Sequence, residues 1–289
     1  MQRLPSFLSI LAELGKVRIT SAVSLSTFLG YVMYTGRVDR DLWLPVLGIF
    51  LLAMASSALN HYQESEWDAR MDRTRNRPIP SGRLSARSVL WISLLLALSG
   101  GGILYLSSGF VALQLGLMAL LWYNAVYTPL KRKTAFAVVP GSLIGAIPPV
   151  VGWVAAGGSA VHPAILMVAF FFFIWQIPHF WLLMIRLGPQ YEQAGFPSLS
   201  RIYSPEQIRK LTFVWIFTAA VACLFIPAFG SVRSPVASFL LLAGSMVLVA
   251  SGAGLLFGKT SRNTSRLAFL AINLYLVFVI VVLSADALL

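Results

Sequence analysis

Long apolar segments separated by shorter polar ones run through most of this chain. Nine of them reach about 20 residues, the length that an α-helix needs to cross the hydrocarbon core of a bilayer. Their approximate bounds are 17–36, 42–63, 88–107, 109–128, 135–156, 163–186, 211–229, 235–257 and 267–285. Because backbone N–H and C=O groups must be paired inside lipid, such segments predict helices. The pattern predicts an all-α, polytopic membrane protein with nine transmembrane helices, forming a single domain over residues 1–289.

Composition supports this fold class. Of the 289 residues, 58% are apolar and only 11% are charged, which lies outside the range of soluble globular proteins. The one cysteine, Cys223, excludes internal disulfides and a cysteine-based metal cluster. A net charge of +12 would favour nucleic acid in a soluble protein, but here the basic residues follow the predicted loops. We therefore expect membrane lipid, and no nucleic acid, as a partner.

The basic residues alternate between the two predicted faces of the membrane. Of the 22 lysines and arginines, all but Arg37, Arg40 and Arg233 fall in the N-terminal segment or in every second loop. They include Arg3 before the first span and Lys259 in the eighth loop. Because cytoplasmic loops are enriched in Lys and Arg, the N-terminus is predicted inside and the C-terminus outside.

The opening residues do not have the pattern of a cleaved targeting sequence. Their apolar stretch is interrupted, and no small-residue cleavage site follows it, so the first span is expected to be retained. They also lack the Arg- and Ser-rich character of a mitochondrial transit peptide. This favours the cytoplasmic membrane of a prokaryote.

Acidic residues are concentrated directly after the second predicted span. Glu64, Glu66, Asp68 and Asp72, four of the ten acids, fall within nine positions. If the helix continues, Asn60, Glu64, Asp68 and Asp72 share one face, because residues four apart lie about one turn apart. Oxygen ligands with this spacing suit a hard divalent cation such as Mg²⁺.

Arginines follow the acidic face at once. Arg73, Arg75 and Arg77 precede Pro78 and Pro80, which end the helix. Carboxylates that hold a metal, followed by guanidinium groups that bind phosphate oxygens, are what a magnesium-bound diphosphate requires. The alternative is a solvated loop whose charges pair with one another and with lipid headgroups.

A second basic group follows the fourth predicted span. Lys131, Arg132 and Lys133 come directly after Tyr127 and three further residues. They fit a positive-inside membrane anchor. They also fit a reaction site, because Tyr127 would lie one turn deeper than Lys131, and an aromatic ring stabilises a cation beneath a departing phosphate.

His179, in the sequence WQIPHFW, is the ionisable side chain that lies well inside a predicted span. Such residues are functional candidates, although a neutral, hydrogen-bonded histidine is the alternative. Trp175 and Trp181 flank it and could line a flat hydrophobic ligand, or could anchor the helix at the membrane interface.

Several of these stretches together resemble the protoheme IX farnesyltransferase (heme O synthase) family within the UbiA-type intramembrane prenyltransferase superfamily. The resemblance covers most of the chain. It is carried by LGKVRITSAV, ALNHYQESEWDARMDRTRNRPIPSGRLS, YTPLKRKTAF with GAIPPVVGW, and WQIPHFWLLMIRLGPQYEQAGFPSL. It implies Mg²⁺-dependent transfer of a farnesyl group from farnesyl diphosphate to a vinyl group of heme b, giving heme O. A downstream heme-processing enzyme is a further expected partner.

The resemblance also implies roles for particular residues. The expected metal ligands are Asn60, Glu64 and Asp68. The expected diphosphate-binding residues are Asn60, Arg73, Arg77, Lys131 and Arg132. The expected catalytic residues are Asp68, Tyr127 and Lys131, and the expected heme-binding residues are His179 and Trp175.

The sequence departs from the family pattern at several positions. Glu64 stands where the family has aspartate, and Gln190 stands where the second acidic motif has aspartate, which puts a second magnesium in question. Two alternative functions stay open at this point. One is prenyl transfer to an aromatic acceptor of a quinone or chlorophyll pathway. The other is transport, which is disfavoured because the predicted spans bury no Asp, Glu, Lys or Arg.

Overall fold

The computed structural model describes residues 6–257 and 262–289, and within these ranges the ordered elements are all helical. The all-α prediction is therefore confirmed. The α-helices are α1 Phe7–Leu14, α2 Val17–Thr35, α3 Trp43–Gln63, α4 Ser65–Asp68, α5 Ala86–Leu121, α6 Thr128–Leu130, α7 Val138–Gly141, α8 Leu143–Ala155, α9 Pro163–Gln193, α10 Pro205–Ala228, α11 Pro235–Gly252, α12 Gly254–Phe257 and α13 Arg262–Leu288. A π-helix, Trp122–Tyr127, joins α5 to α6, and a short 3₁₀ helix covers Leu199–Arg201. Arg3 and Lys259, used above to predict orientation, lie outside the described residues.

Seven helical segments in the described ranges are long and apolar enough to cross a membrane. The longest, Ala86–Leu130, is interrupted at Gly109, whose φ of 80° and ψ of −176° are not helical. A side chain added at Gly116 would lie 2.7 Å from Leu104, so the two arms of α5 pack against each other. Residues 12 apart in a straight helix would be separated by about 18 Å. This segment is therefore a helical hairpin whose arms match the third and fourth predicted spans.

The other predicted spans also coincide with helices, although their bounds differ. The main difference is α9, which begins at Pro163 as expected but continues to Gln193, about two turns beyond the predicted end. Helix α2 covers the first predicted span but is not among the seven most apolar segments. The count of nine crossings and the sides of the two termini stay predictions.

The outside of the helix bundle is apolar. Large side chains such as Leu95, Leu98 and Val247 are exposed, which is typical of a surface that faces lipid rather than water. The protein is thus a multi-pass membrane protein. The largest buried cluster lies between α2, α8, α9, α10, α11 and α13.

Two glycines allow α2 and α8 to pack with their backbones in contact. A side chain at Gly30 would lie 1.8 Å from the Pro149 carbonyl oxygen, and one at Gly152 would lie 1.9 Å from that of Thr27. Small residues at helix interfaces permit this close approach inside membranes. The contact fixes α2 against the bundle and so positions Lys16, the residue that precedes α2.

Candidate functional site

Three oxygen-bearing side chains are buried together where α3 ends. Asn60, Glu64 and Asp68 are 2%, 4% and 1% exposed. Although α3 ends at Gln63, the Glu64 N–H donates to the Asn60 carbonyl at 3.0 Å and the Asp68 N–H donates to the Glu64 carbonyl at 2.8 Å. These bonds carry the helical spacing through α4. The three predicted metal ligands therefore lie on one face, as the sequence indicated.

Asp72 does not share that face, so this part of the sequence prediction is wrong. Helix α4 ends at Asp68, and the chain then continues in turns. The side chain of Asp72 is 77% exposed and pairs with Arg75 at 3.3 Å. The alternative interpretation, a solvated loop of paired charges, thus describes Asp72 and Arg75 but not Asp68.

Each buried oxygen donor has a basic partner from a different part of the chain. Lys131 forms a short ion pair with Glu64. Arg77 donates from Nη1 to both carboxylate oxygens of Asp68, at 2.8 and 2.7 Å. The ammonium of Lys16 lies 3.5 Å from Asn60 Oδ1. The arrangement is a mixed-charge cluster at one end of the bundle.

The loop after α4 folds back so that Arg77 reaches Asp68. The Thr74 hydroxyl donates to the Asp68 carbonyl oxygen at 2.9 Å, and Pro78 is buried at the next turn. Burial raises the pKa of the Asp68 carboxyl, and the positive charge of Arg77 opposes that rise. Arg73, also predicted to bind phosphate, is exposed and has no hydrogen bond or ion pair among the described residues.

Lys16 also belongs to this cluster, although its place in the sequence predicted no role for it. It has a φ of 48°, the left-handed region, and it lies directly before α2. Burial lowers the pKa of its ammonium to about 7, and the positive charges of Arg77 and Lys131 act in the same direction. Its position at the start of a span, in the stretch LGKVRITSAV, was the available signal. Its distance of 44 residues from Asn60 concealed the contact.

Hydrogen bonds tie the π-helix and Arg132 to the end of α3. Asn124, on this π-helix, exchanges hydrogen bonds with Gln63 in both directions, each at 3.0 Å. Arg132 donates to the Gln63 carbonyl at 2.7 Å and lies 3.9 Å over the Trp67 ring. Among the described residues, its guanidinium thus contacts Gln63 and Trp67 and forms no hydrogen bond with Asn60, Glu64 or Asp68. Asn124 and Gln63 were not predicted, because nothing in the sequence marks them apart from other buried amides.

Tyr127 lies one turn deeper than Lys131, as predicted. The Lys131 ammonium is 5.8 Å from the centre of its ring, and the ring also packs against Tyr123 and Phe180. A side chain at Gly141 would lie 2.5 Å from the Tyr127 ring, so this glycine makes room for it. The Tyr127 ring, in tilted contact with Tyr123 and Phe180, thus lies next to Lys131 of the charged cluster.

An apolar cavity of about 120 Å³ extends from the cluster into the bundle. Lys16 and Tyr123 line it near the charged end, and Ala53 and Ile49 line it about two and three turns deeper than Asn60 on α3. A second, smaller cavity of about 70 Å³ is lined by Tyr127, Lys131, Phe180 and Met184. The first cavity joins a charged end to an apolar lining, which suits a ligand with a charged head and an apolar tail. The ring of Tyr123, which lines the first cavity, is 5.5 Å from that of Tyr127, which lines the second.

His179 and Trp175 lie in an aromatic stack between α9 and α13. The His179 ring is 4.9 Å from that of Trp175 and 5.2 Å from that of Phe269. The Trp175 indole N–H donates to the Ile272 carbonyl at 2.7 Å. His179 also contacts Phe180, which lines the second cavity. The structure thus places His179 one side chain away from that cavity and uses Trp175 in helix packing.

The chain belongs to the UbiA prenyltransferase family, whose profile matches residues 21–283. A fold with this architecture is found in a UbiA homologue from Archaeoglobus fulgidus solved with GPP and Mg²⁺. The TM-score is 0.70 and the sequence identity 14%, with 96% of this chain and all of that chain covered. Membership in this family favours an enzyme over the transporter considered above.

Within the family, the chain is similar to proteins named protoheme IX farnesyltransferase. One from Oleidesulfovibrio alaskensis is 38% identical over 281 residues, covering 96% of each chain. Another from Nitratidesulfovibrio vulgaris is 39% identical over 218 residues, covering 75% of this chain and 76% of the relative. These similarities extend through both halves of the helix bundle.

Proposed function

We propose that this protein transfers a farnesyl group from farnesyl diphosphate to a vinyl group of heme b, giving heme O. The observation that carries the proposal is the buried cluster of Asn60, Glu64 and Asp68 with three basic side chains at the mouth of an apolar cavity. Similarity to protoheme IX farnesyltransferases supports the choice of donor and acceptor.

The oxygen donors fit magnesium together with a diphosphate. Mg²⁺ in proteins is usually held by one or two carboxylates, with substrate phosphates and water completing its octahedron. Glu64 and Asp68 supply two carboxylates and Asn60 one amide oxygen, whereas no group of three or more His, Cys, Asp or Glu side chains occurs among the described residues. These three oxygens are too few to fill the coordination sphere of Mg²⁺ alone. They are sufficient for a metal ion that binds together with the phosphates of its substrate. When bound, Mg²⁺ would supply positive charge that weakens the allylic C–O bond.

The basic side chains then assist the departure of the diphosphate. In the structure Lys131 and Arg77 neutralise Glu64 and Asp68, and Lys16 lies beside Asn60. Redirected toward phosphate oxygens, they stabilise the negative charge that develops as the C1–O bond of the donor breaks and its electron pair leaves with pyrophosphate. Arg73, which lies exposed, would join only after a movement of its loop.

The aromatic rings beneath the cluster stabilise the cation that forms. Tyr127 packs against Tyr123 and Phe180 in tilted contacts, and the faces of such rings attract positive charge. The terminal carbon of the vinyl group attacks C1 of the farnesyl cation. The positive charge moves to the carbon next to the porphyrin ring, water adds there, and one proton is released. The second cavity, lined by Tyr127, Lys131 and Phe180, is the proposed entry for the acceptor.

The remaining expectations belong to the same proposal. Residues 1–289 form one prenyltransferase domain in the cytoplasmic membrane of a prokaryote, with the diphosphate site facing the cytoplasm. His179 and Trp175 contribute to heme binding from α9. The product then passes to a downstream heme-processing enzyme.

The test is incubation of purified protein with heme b, farnesyl diphosphate and Mg²⁺, followed by mass analysis of the pigments. We expect a heme product that has gained one farnesyl group and one hydroxyl group, with pyrophosphate released in equal amount, and no product when a chelator removes the metal. A phenolic acceptor that is prenylated while heme b is not would refute the acceptor. Loss of the absorption band of protein-bound heme in His179→Ala, but not in His162→Ala at the other end of the bundle, would support the role of His179.

A further inference from the structure

A polar cavity of about 310 Å³ lies at the end of the bundle opposite the Asn60 cluster. The ends of α2 and α13 and the beginnings of α9 and α11 surround it. Its volume is at the lower limit of about 300–1,000 Å³ that is common for small-molecule sites. The side chains that matter for its chemistry are Tyr34, Trp153, His162, Ser231, Arg233 and Asp286.

Trp153 is the residue that points to a ligand. Its side chain is 7% exposed, and its indole Nε1 is buried without a hydrogen-bond partner in the described residues. An indole nitrogen can only donate, and buried donors in folded proteins are nearly always paired. A side chain added at Gly158 would lie 2.1 Å from Nε1, so this glycine allows the backbone to pack closely on the indole ring. Trp153 thus lines the cavity and carries an N–H group that no other described residue uses.

Two further donors line the same cavity. His162 accepts a hydrogen bond at Nδ1 from the Ala164 backbone at 3.2 Å, which assigns the proton of the neutral ring to Nε2. The exposed Arg233 guanidinium makes a single long hydrogen bond, from Nη1 to the Ala287 carbonyl at 3.4 Å. Most of its N–H groups are therefore open to an incoming acceptor.

The one carboxylate in the cavity is already paired. Asp286 is 4% exposed, and its two oxygens accept hydrogen bonds from the backbone N–H groups of Arg233 and Ser234, each at 2.8 Å. Its negative charge is thus paired with backbone N–H groups just before α11. The beginning of the 31-residue helix α9, capped by His162, adds the positive end of a helix dipole. The hydrogen-bond donors and positive charge that remain around the cavity therefore favour an anion.

We propose that this cavity is a binding site for a phosphate-bearing anion, held by the Trp153 indole N–H, the His162 ring and the Arg233 guanidinium. The site lies where the membrane-spanning helices end, which is the depth of phospholipid phosphate groups. A lipid headgroup is therefore the favoured source, and a soluble phosphate ester offers the same oxygen acceptors. The site is separate from the proposed diphosphate cluster and does not depend on the proposed function.

The test observes the Trp153 N–H directly. Full-length protein labelled with ¹⁵N-tryptophan in detergent micelles gives indole signals, and the one missing from Trp153→Phe is that of Trp153. Phosphatidylglycerol and inorganic phosphate are titrated separately, with diacylglycerol as the phosphate-free control. We expect the Trp153 signal to move on saturation while that of Trp43, an exposed tryptophan on α3, does not. The movement should disappear in Arg233→Gln and persist in Arg37→Gln, which removes an arginine from the neighbouring loop.

The outcomes separate the sources. A shift with phosphatidylglycerol alone identifies a lipid headgroup, and a shift with both compounds identifies the phosphate group itself. No shift in either titration, an equal shift with diacylglycerol, or a shift that persists in Arg233→Gln would overturn the site. If Trp153→Phe does not fold, native mass spectrometry of Arg233→Gln and Arg37→Gln decides instead. Equal retention of phosphatidylglycerol by these two variants would overturn the proposal.

Discussion

Arg77 donates from one guanidinium nitrogen to both carboxylate oxygens of Asp68, a side chain that is 1% exposed. Arg77 occupies one lone-pair site on each carboxylate oxygen, and its positive charge opposes a metal cation there until the arginine turns toward another anion. The Arg77–Asp68 pair therefore corresponds to the site before substrate binds. In the proposed function, the arrival of a diphosphate would give Arg77 a new partner and free Asp68.

Replacing Asp68 with asparagine should remove transfer activity. The substitution keeps the shape but removes the negative charge, so Arg77 is left in a buried site without its counter-ion and a metal-bound diphosphate loses a ligand. We expect turnover with heme b and farnesyl diphosphate to fall by at least about 100-fold, as for the loss of other groups that stabilise transition-state charge. The control is Asp72→Asn, at the exposed carboxylate four residues away. Equal activity of the two variants would contradict the site.

How far the sequence could predict this cluster depends on the range of each interaction. Asn60, Glu64 and Asp68 were predicted together because helical spacing is a local property. Asp72 was placed wrongly because the point at which a helix ends depends on the loop that follows, here one turned by Thr74 and Arg77.

Lys16 and Asn124 could not be assigned for a different reason. They contact Asn60 and Gln63 across 44 and 61 residues of sequence, and only the folded bundle brings them together. The helical hairpin at Gly109 shows the reverse case. The total length of apolar sequence predicted two spans without any polar turn between them, because a single helix of that length would exceed the bilayer.

Lys16 should give the reaction a pH dependence. Its pKa is lowered to about 7, so the ammonium loses its proton as the pH rises through that value, and its attraction for a diphosphate is lost with it. We expect kcat/KM for farnesyl diphosphate, which reports on the free enzyme, to fall above about pH 7 for this reason. Arginine stays charged throughout this range. The fall should therefore be absent in Lys16→Arg, and a profile that is identical in wild type and variant would exclude Lys16 as its source.

The apolar cavity should limit the length of the isoprenoid donor. Ala53 lines it seven residues before Asn60 on α3, which is about 10 Å deeper along the helix axis. A phenylalanine at this position would fill the lower part of the cavity. We expect Ala53→Phe to raise KM for farnesyl diphosphate while a five-carbon donor, dimethylallyl diphosphate, is still bound.

The matched control for Ala53→Phe is Leu47→Phe. Leu47 lies on the same helix but is 43% exposed on the outside of the bundle. Competition between the two donors for each variant gives the measurement. If Ala53→Phe lowers binding of both donors equally, the cavity does not hold the tail.

The close packing of α2 on α8 should be a main determinant of stability. A methyl group at Gly30 would lie 1.8 Å from the Pro149 carbonyl oxygen, and backbone atoms cannot move aside as a flexible side chain can. We expect Gly30→Ala to reduce the free energy of unfolding by about 1–3 kcal/mol, the usual range for overpacking, and to lower the midpoint of thermal unfolding in detergent.

Gly102→Ala is the control, because a methyl group there meets nothing within 4 Å. It lies inside helix α5, where alanine is favoured over glycine by about 0.5–1 kcal/mol, so its midpoint should rise or stay unchanged. Since α2 also carries Lys16, Gly30→Ala should weaken diphosphate binding together with stability, and a variant that is destabilised but binds the donor normally would show that the two are not coupled.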